Sequence, residues 1–557
     1  MTDAARALRR LERLKLVYAE TAGREKLELL RSLERRRLGT AAQVLRLHEA
    51  LCFLRAYPDD EAVLAQVEHM LRGFGARRDL RRHRTALADS GVAGTAIRAR
   101  FFWPTARWIA QRWPDRVHVD WADFENGDCL LEVLPLLIPY AEADALDELD
   151  YTAREWVDHL RGPHVTDATF LVRRIEASAR DDFHREAAHD AIDCSYRLDP
   201  GPDTPARTHA KIPVRRVFAQ RGPLRSQRPR LEREVRRPPL AVRSLSRRQG
   251  QEIIDLARAA MVTRSRDLDV FAYGDPNDVR SVDFGQGLQF AVIGFVPERR
   301  LLLHAVYGYL TLMNGVPIGY VLSSALYGAA DVAYNVFDTY RGAEAAFVFS
   351  CVLAMVHHLF GVREFSIDSY QLGYGNAEGL KTGAWWFYYK LGFRPRHPAV
   401  RRVLRRELAA MRRDPRHRST RGTLQQLAAE PLYWRLSGRQ QPEPPLWNLG
   451  LQISKQLARR FGAERERGVR VCAREAAGRV GLRSWRGFGR AERLAWERWS
   501  PLLAALPSVE RWSRAEKRAL VAVVRAKGGR RDSDFVRLFD RHVRLRRAVS
   551  RLAAAGS

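Results

Sequence analysis

The stretch Val332-Ala333-Tyr334-Asn335-Val336-Phe337-Asp338-Thr339-Tyr340-Arg341-Gly342-Ala343-Glu344-Ala345-Ala346, continued through Glu364-Phe365-Ser366-Ile367-Asp368 to Tyr388-Tyr389-Lys390-Leu391-Gly392-Phe393-Arg394-Pro395, decides how the middle of this 557-residue chain is read. Ala333 to Phe337 has the β-branched and aromatic character of a strand, and Gly342 marks a turn. Ala343 to Phe360 then reads as a long apolar helix, Glu364 to Asp368 as a second strand and Glu378 to Leu391 as a final helix. The first amides of a helix lack intrahelical acceptors and sit at the positive end of its dipole, so the turn Arg341 to Ala346 is a place where an anion would be held.

Upstream, Ala241 to Leu245 predicts a strand, and Ser246 to about Met261 a capped helix with Ile253, Ile254, Leu256 and Ala257 facing inward. Leu288 to Val296, Leu301 to Thr311 and Val316 to Ala325 are β-rich. They are joined by turn signals at Pro297-Glu298 and Asn314-Gly315, the latter a strong hairpin marker between apolar runs.

This order over residues 240–400 resembles GNAT-type N-acyltransferases, in which a strand ending Val-x-Pro-x-Tyr-Arg-Gly feeds a turn that holds the pyrophosphate of coenzyme A. Here the counterpart is Val336-Phe337-Asp338-Thr339-Tyr340-Arg341-Gly342. The family also places an alanine four residues before a tyrosine that opens Tyr-x-Lys-Leu-Gly-Phe, matched by Ala384 and Tyr388 to Phe393. The resemblance implies an α/β (α+β) domain with a central mixed sheet between helical flanks. It implies acetyl-CoA or another acyl-CoA held by Val336, Arg341, Gly342, Ala343, Ala345, Ala346 and Lys390, and a small-molecule or peptide amine as acceptor. It assigns to Tyr388 the protonation of the departing thiolate.

Three positions depart from the family pattern: Asp338 replaces its proline, Glu344 its first turn glycine, and Lys381 the asparagine before the last helix. A carboxylate at 344 has the sign of charge that pyrophosphate repels. The fold also occurs in transferases that take an aminoacyl group from tRNA, and an inactive scaffold is a third reading.

Acyl transfer to an amine needs an acid and a base. Tyr388 and Tyr389 are the candidate acids, with Lys390 placed to lower a phenol's pKa, and Asp338, Asp368 and Glu378 are the candidate bases. The loop Gln371 to Glu378 contains Gly373, Gly375 and the natural helix cap Asn376, and lies where a cleft would be lined. Asp181, Asp182, His184, His189, Asp190, Asp193 and Cys194 invite a metal reading, but histidines five residues apart do not share a helix face, and no metal site is assigned.

The length calls for about three domains of ordinary size. Residues 1–165 read as helical, 166–239 as irregular and ending in a Pro/Arg-rich linker, 240–400 as the domain described above, and 401–557 as basic and helical. A net charge of +30 suits anionic partners, including nucleic acid through the basic segments 200–240 and 401–421. The excess is carried by 87 arginines against eight lysines, which a biased genomic composition would produce as well. Tryptophans among the C-terminal arginines either stack bases or fill a core, and helical spacing favours the core. Five cysteines without paired spacing fit a reducing, cytoplasmic setting. Met1 to Leu16 lacks the apolar run of a secretion signal, and no stretch reads as a membrane span.

Overall fold

The computed structural model describes residues 3–179, 181–437, 444 and 446–555. Helices from Asp3–Leu14 to Glu61–Arg72 enclose a first core built on Leu8, Leu11, Leu30, Leu47 and Leu71, as their three- and four-residue apolar steps predict. The purely helical reading of residues 1–165 fails beyond that point. Strands β1 (Ile97–Arg100) and β2 (Val117–Val119) flank β3 (Ser195–Leu198) in an antiparallel sheet, over a core that includes Trp103, Ile109, Leu130, Val172 and Tyr196. Strands of three or four residues are too short to show a period of two.

Residues 166–239 are likewise only partly irregular, since Asp167–Ser178 and Asp182–Ile192 are helices and β3 follows them. Residues 199–230 contain neither helix nor strand, as expected, yet they are a strap rather than a free linker. The Ile212 N–H donates to Gly315 O (3.0 Å), Phe218 N–H to Asn314 Oδ1 (2.8 Å) and Gln220 N–H to Pro58 O (2.8 Å). Arg55 donates to the carbonyls of Thr208 (2.6 Å) and Arg207 (2.9 Å). Ile212, Leu224, Leu231 and Val235 supply apolar anchors against the main core, which charge counting along the segment does not reveal.

The main sheet has nine strands: β4 (Ala241–Ser244), β5 (Gly274–Gly285), β6 (Leu288–Phe295), β7 (Ala305–Met313), β8 (Val316–Leu326), β9 (Ala329–Val336), β10 (Glu364–Ile367), β11 (Arg394–Pro395) and β12 (Leu432–Arg435). Their order is β11-β12-β10-β9-β8-β7-β6-β5-β4, antiparallel throughout except for the β9–β10 pair. The protein is thus a mixed α/β structure with a large mixed sheet and flanking helices. At the β7–β8 turn, Asn314 (φ 51°) and Gly315 (φ 79°) both adopt the left-handed conformation that a two-residue hairpin of this hand requires. A Cβ on Gly315 would lie 2.3 Å from Ile212 O, so the same glycine admits the strap.

Helix α1 (Arg247–Val262) begins at Ser246, whose side chain caps Gln249 N–H while Gln249 answers in a capping box. Helix α2 (Ala345–Phe360) starts two residues later than expected, because Asp338–Tyr340 forms a 3₁₀ turn and Gly342 (φ 83°) redirects the chain. The single last helix expected from Glu378 to Leu391 is two, α3 (Ala377–Thr382) and α4 (Ala384–Lys390), parted by Gly383 at φ 66°.

C-terminal helices pack against the same core, with Arg537 donating to Leu359 O at the end of α2 (2.8 Å). Trp496 and Trp499 are fully buried and Trp499 Nε1 donates to Leu302 O (3.0 Å), so these aromatics fill a core, whereas Trp447 is exposed. Among the described residues no helix is long and apolar enough to cross a membrane.

Candidate active site

β9 and β10 pair over three residues only, Ala329 to Asp331 against Glu364 to Ser366. After Ile367 the chain turns away, with Asp368 capping the short helix Ser369–Leu372 by accepting from Tyr370 N–H (2.8 Å). β9 runs on to Val336 with β8 along one edge alone. Because Phe337 N–H donates to Ile318 O (3.0 Å), antiparallel alternation turns odd-numbered residues of β9 toward β8. The N–H and C=O groups of Tyr334 and Val336 therefore face the side that β10 has left.

A cleft of about 590 Å³ opens there. Its walls are Tyr334, Asn335 and Val336 of β9, then Arg341, Gly342 and Ala345 at the start of α2, and Tyr370, Gln371, Asn376 and Glu378 from the loop after β10. Ala384, Phe387 and Tyr388 project from one face of α4 at three- and four-residue spacing. Among the described residues, chain neighbours aside, nothing lies within 4 Å of where a Cβ on Gly342 would stand, so the turn is open. The side chain of Glu344 makes no capping bond to α2, whose first amides are thus free of intrahelical and side-chain cap partners. The Tyr334 O–H donates to Ala345 O (3.2 Å) and ties strand to helix start.

Glu344 is 8% exposed and lies outside the cleft lining. Its carboxylate accepts from Arg225 N–H on the strap (3.0 Å), with the Arg225 guanidinium 3.9 Å away. The departure most at odds with an anion in the turn is therefore directed into the protein. Ala343 and Ala346 pack against the core and also lie outside the lining.

Among the candidate acids, Tyr388 is 3% exposed and packs on Phe349 and Phe393, while its hydroxyl has no hydrogen-bond partner among the described residues. Burial raises its phenol, so it stays protonated at neutral pH. The expected lowering by Lys390 is overturned, because Lys390 sits exposed outside the cleft. Tyr389 turns the other way, stacked on Trp385 (5.3 Å) with Arg394 over its ring (4.3 Å).

Glu378 is gripped by Arg341 and by Arg266 (3.3 Å), and the hydrogen bond from Arg341 holds its carboxyl below the ordinary value. A carboxylate so held is a weak base. Asp338 pairs with Arg341 (2.8 Å) from a position 82% exposed and beyond the lining. Sequence reasoning missed the wall formed by Arg266, Asp267, Leu268 and Tyr320. Asp267 accepts from Phe102 N–H (3.0 Å) and Leu268 N–H (2.9 Å), and burial pushes its carboxyl up to about 6. The alternation of Arg264, Arg266, Asp267 and Asp269 directly after α1 was the available signal.

In the segment weighed for metal, Asp181 caps the helix Asp182–Ile192 and buried His189 meets the Tyr196 hydroxyl (3.0 Å). Compared with family models, with curated proteins and with solved structures, the chain matches none.

Proposed function

We propose that the protein is a GNAT-like N-acyltransferase, moving an acyl group from an acyl-CoA to an amine in the cleft between β9 and β10. The observation that carries this reading is a conjunction: an unpaired strand edge at Tyr334 and Val336, the free amides that open α2, and an unpartnered buried phenol, all bordering one cleft. The pyrophosphate would sit on the turn Arg341 to Ala345, where backbone amides and the helix dipole favour an anion. The amide-bearing arm of coenzyme A would run along the free edge of β9, as added peptide strands do. The amine nitrogen attacks the thioester carbonyl, the C–S bond breaks, and Tyr388 donates its proton to the sulfur. Asp267, whose pKa lies nearest neutrality among the carboxyls of the cleft, takes the proton that the amine gives up.

Calorimetric titration with acetyl-CoA and longer acyl-CoAs tests the cofactor. Binding that disappears in Ala345→Asp supports the reading, and no heat at any chain length removes it.

A second reading, a nucleic-acid partner with or without aminoacyl transfer from tRNA, is favoured by one surface. Arg402, Arg405, Arg406, Arg412 and Arg413 are exposed on or at the end of the helix Pro398–Arg413. The other basic segment, 200–240, supports it less, because Arg207, Lys211 and Arg225 are committed to Glu49, Glu68 and Glu344. Absorbance at 260 nm that co-purifies with the protein and is lost when those five helix arginines become serine would favour this reading.

A further inference from the structure

Beside the cleft lies a second space of about 210 Å³, and the two share Arg266, Asn335, Val336 and Arg341 as common walls. Distant parts of the chain build it: Asp89 and Ser90 of the N-terminal region, Arg207 of the strap, and Thr263 and Arg264 at the end of α1. Gly91, at φ 68°, makes the closure sterically feasible. A Cβ there would lie 2.2 Å from Thr263 O.

Four guanidinium groups border this space against the carboxylates of Asp89 and Asp338. Most have partners. Arg207 pairs with Glu49 (2.8 Å), Arg266 and Arg341 hold Glu378, Arg341 also meets Asp338, and Asp89 is taken by Arg98 (2.7 Å). Arg264 has no carboxylate within ion-pair distance among the described residues. Its Nη1 donates to Ala260 O (2.7 Å) and Thr263 Oγ1 (3.3 Å), and its guanidinium lies 3.5 Å from the centre of the Phe337 ring. Burial, and after it the charge of Arg207, pulls its pKa down to about 9. A half-buried cation with no ion-pair partner among the described residues is only partly compensated, and a bound anion would complete its pairing.

We propose that this space is the acceptor subsite and that the acceptor is a small amine bearing an acidic group, carboxylate or phosphate, held between Arg264 and Arg207. The amine end then reaches Val336, where the two spaces meet. The identity of the amine end rests on the acyl-transfer reading, whereas the anion site does not.

The full-length chain is titrated with inorganic phosphate, and with phosphoethanolamine against ethanolamine and glycine against glycinamide, in the absence of any thioester. The expected result is that the acidic member of at least one pair binds roughly 10- to 100-fold more tightly than its neutral partner, the range of a lost charged hydrogen bond. The phosphate and carboxylate arms show which acid the site takes. Arg264→Gln should erase the preference and Arg264→Lys should retain part of it. Should Arg264→Gln fail to fold, competition of inorganic phosphate with the preferred acidic amine in the unmutated protein replaces it. Equal binding of acidic and neutral members, no binding of any acid at millimolar concentration, survival of the preference in Arg264→Gln, or failure to compete overturns the proposal. Acetyl-CoA is titrated separately, so its failure to bind would remove the acyl-transfer reading while leaving an acid preference intact.

Discussion

Two clusters of charge flank the main sheet, built from the same residue types and put to different ends. On the side covered by the C-terminal helices, Asp275, Asp278 and Asp532 face Arg280, Arg300 and Lys527, and none of the six is more than 6% exposed. Lys527 pairs with Asp532 (3.0 Å), Arg300 approaches Asp275 (3.8 Å), and Arg300 also donates to the carbonyls of Lys527 (3.0 Å) and Gly529 (2.6 Å). Three carboxylates meet three cations, all of them buried. On the other side Arg264, Arg266 and Arg341 border open spaces, and Arg264 has no ion-pair partner among the described residues. A charge-balanced cluster inside the core locks elements together, even though Asp278 Oδ1, Asp532 Oδ1 and Arg280 Nε and Nη2 have no hydrogen-bond partner among the described residues. At the open spaces four arginines meet four acids, yet Arg264 has no ion-pair partner among the described residues, which leaves part of its field for a molecule from outside.

The contrast can be broken most directly at the buried cluster. Asp532→Ala should cost about 3–5 kcal/mol in chemical denaturation, because Lys527 would remain buried without its partner. Arg264→Gln should change stability by under ~1 kcal/mol, since it removes a charge that has no ion-pair partner among the described residues. Equal losses in the two variants would mean that Arg264 is as structural as Lys527.

Tyr388→Phe sharpens the open side. The hydroxyl has no hydrogen-bond partner among the described residues, so thermal stability should hold while turnover falls by about two orders of magnitude, the scale of a lost general acid. Single-turnover kinetics with acetyl-CoA reads this, and an unchanged rate would show that another acid serves. Gly91→Ala should lower stability by about 1–3 kcal/mol through its left-handed backbone and the contact with Thr263 O. It should also weaken any acid preference, as the second space would be forced open.

The smallest effect concerns pH. The folded-state pKa of Glu378 lies below its ordinary 4.5, so its ion pairs with Arg341 and Arg266 contribute fully above pH 4.5 and are lost as pH falls below that value. The group is partly exposed and screened, so a slight fall in melting temperature below pH 4.5, absent in Glu378→Gln, is the expected outcome.

How much could be read beforehand varied with how local the cause was. The Asn314-Gly315 hairpin and the Ser246 cap were legible because two or four adjacent residues settle them. β5 was not, since Gly274-Asp275-Pro276-Asn277-Asp278 reads as a turn and its register shifts between Gly274 and Val279. The strand holds because its acids belong to the buried cluster, whose partners lie at Arg300, Lys527 and Asp532. β12 was hidden for a similar reason, its pairing with β10 being reinforced by Arg435 reaching Glu364. At the cleft, Val336, Arg341, Gly342, Ala345, Glu378 and Tyr388 could be picked out in advance because one continuous segment contributes them. Arg266, Asp267 and Tyr320 could not.

Residue order alone determined the succession of strand, turn and helix from Val332 to Pro395, because periodicity, capping and the left-handed freedom of glycine act over a few residues. Which way Glu344 points, how far β9 outruns β10, and which arginines lack a carboxylate were decided by tertiary structure alone. Those outcomes depend on Arg225 lying over Glu344 and on Asp89 being taken by Arg98, contacts that only the packing of the chain creates.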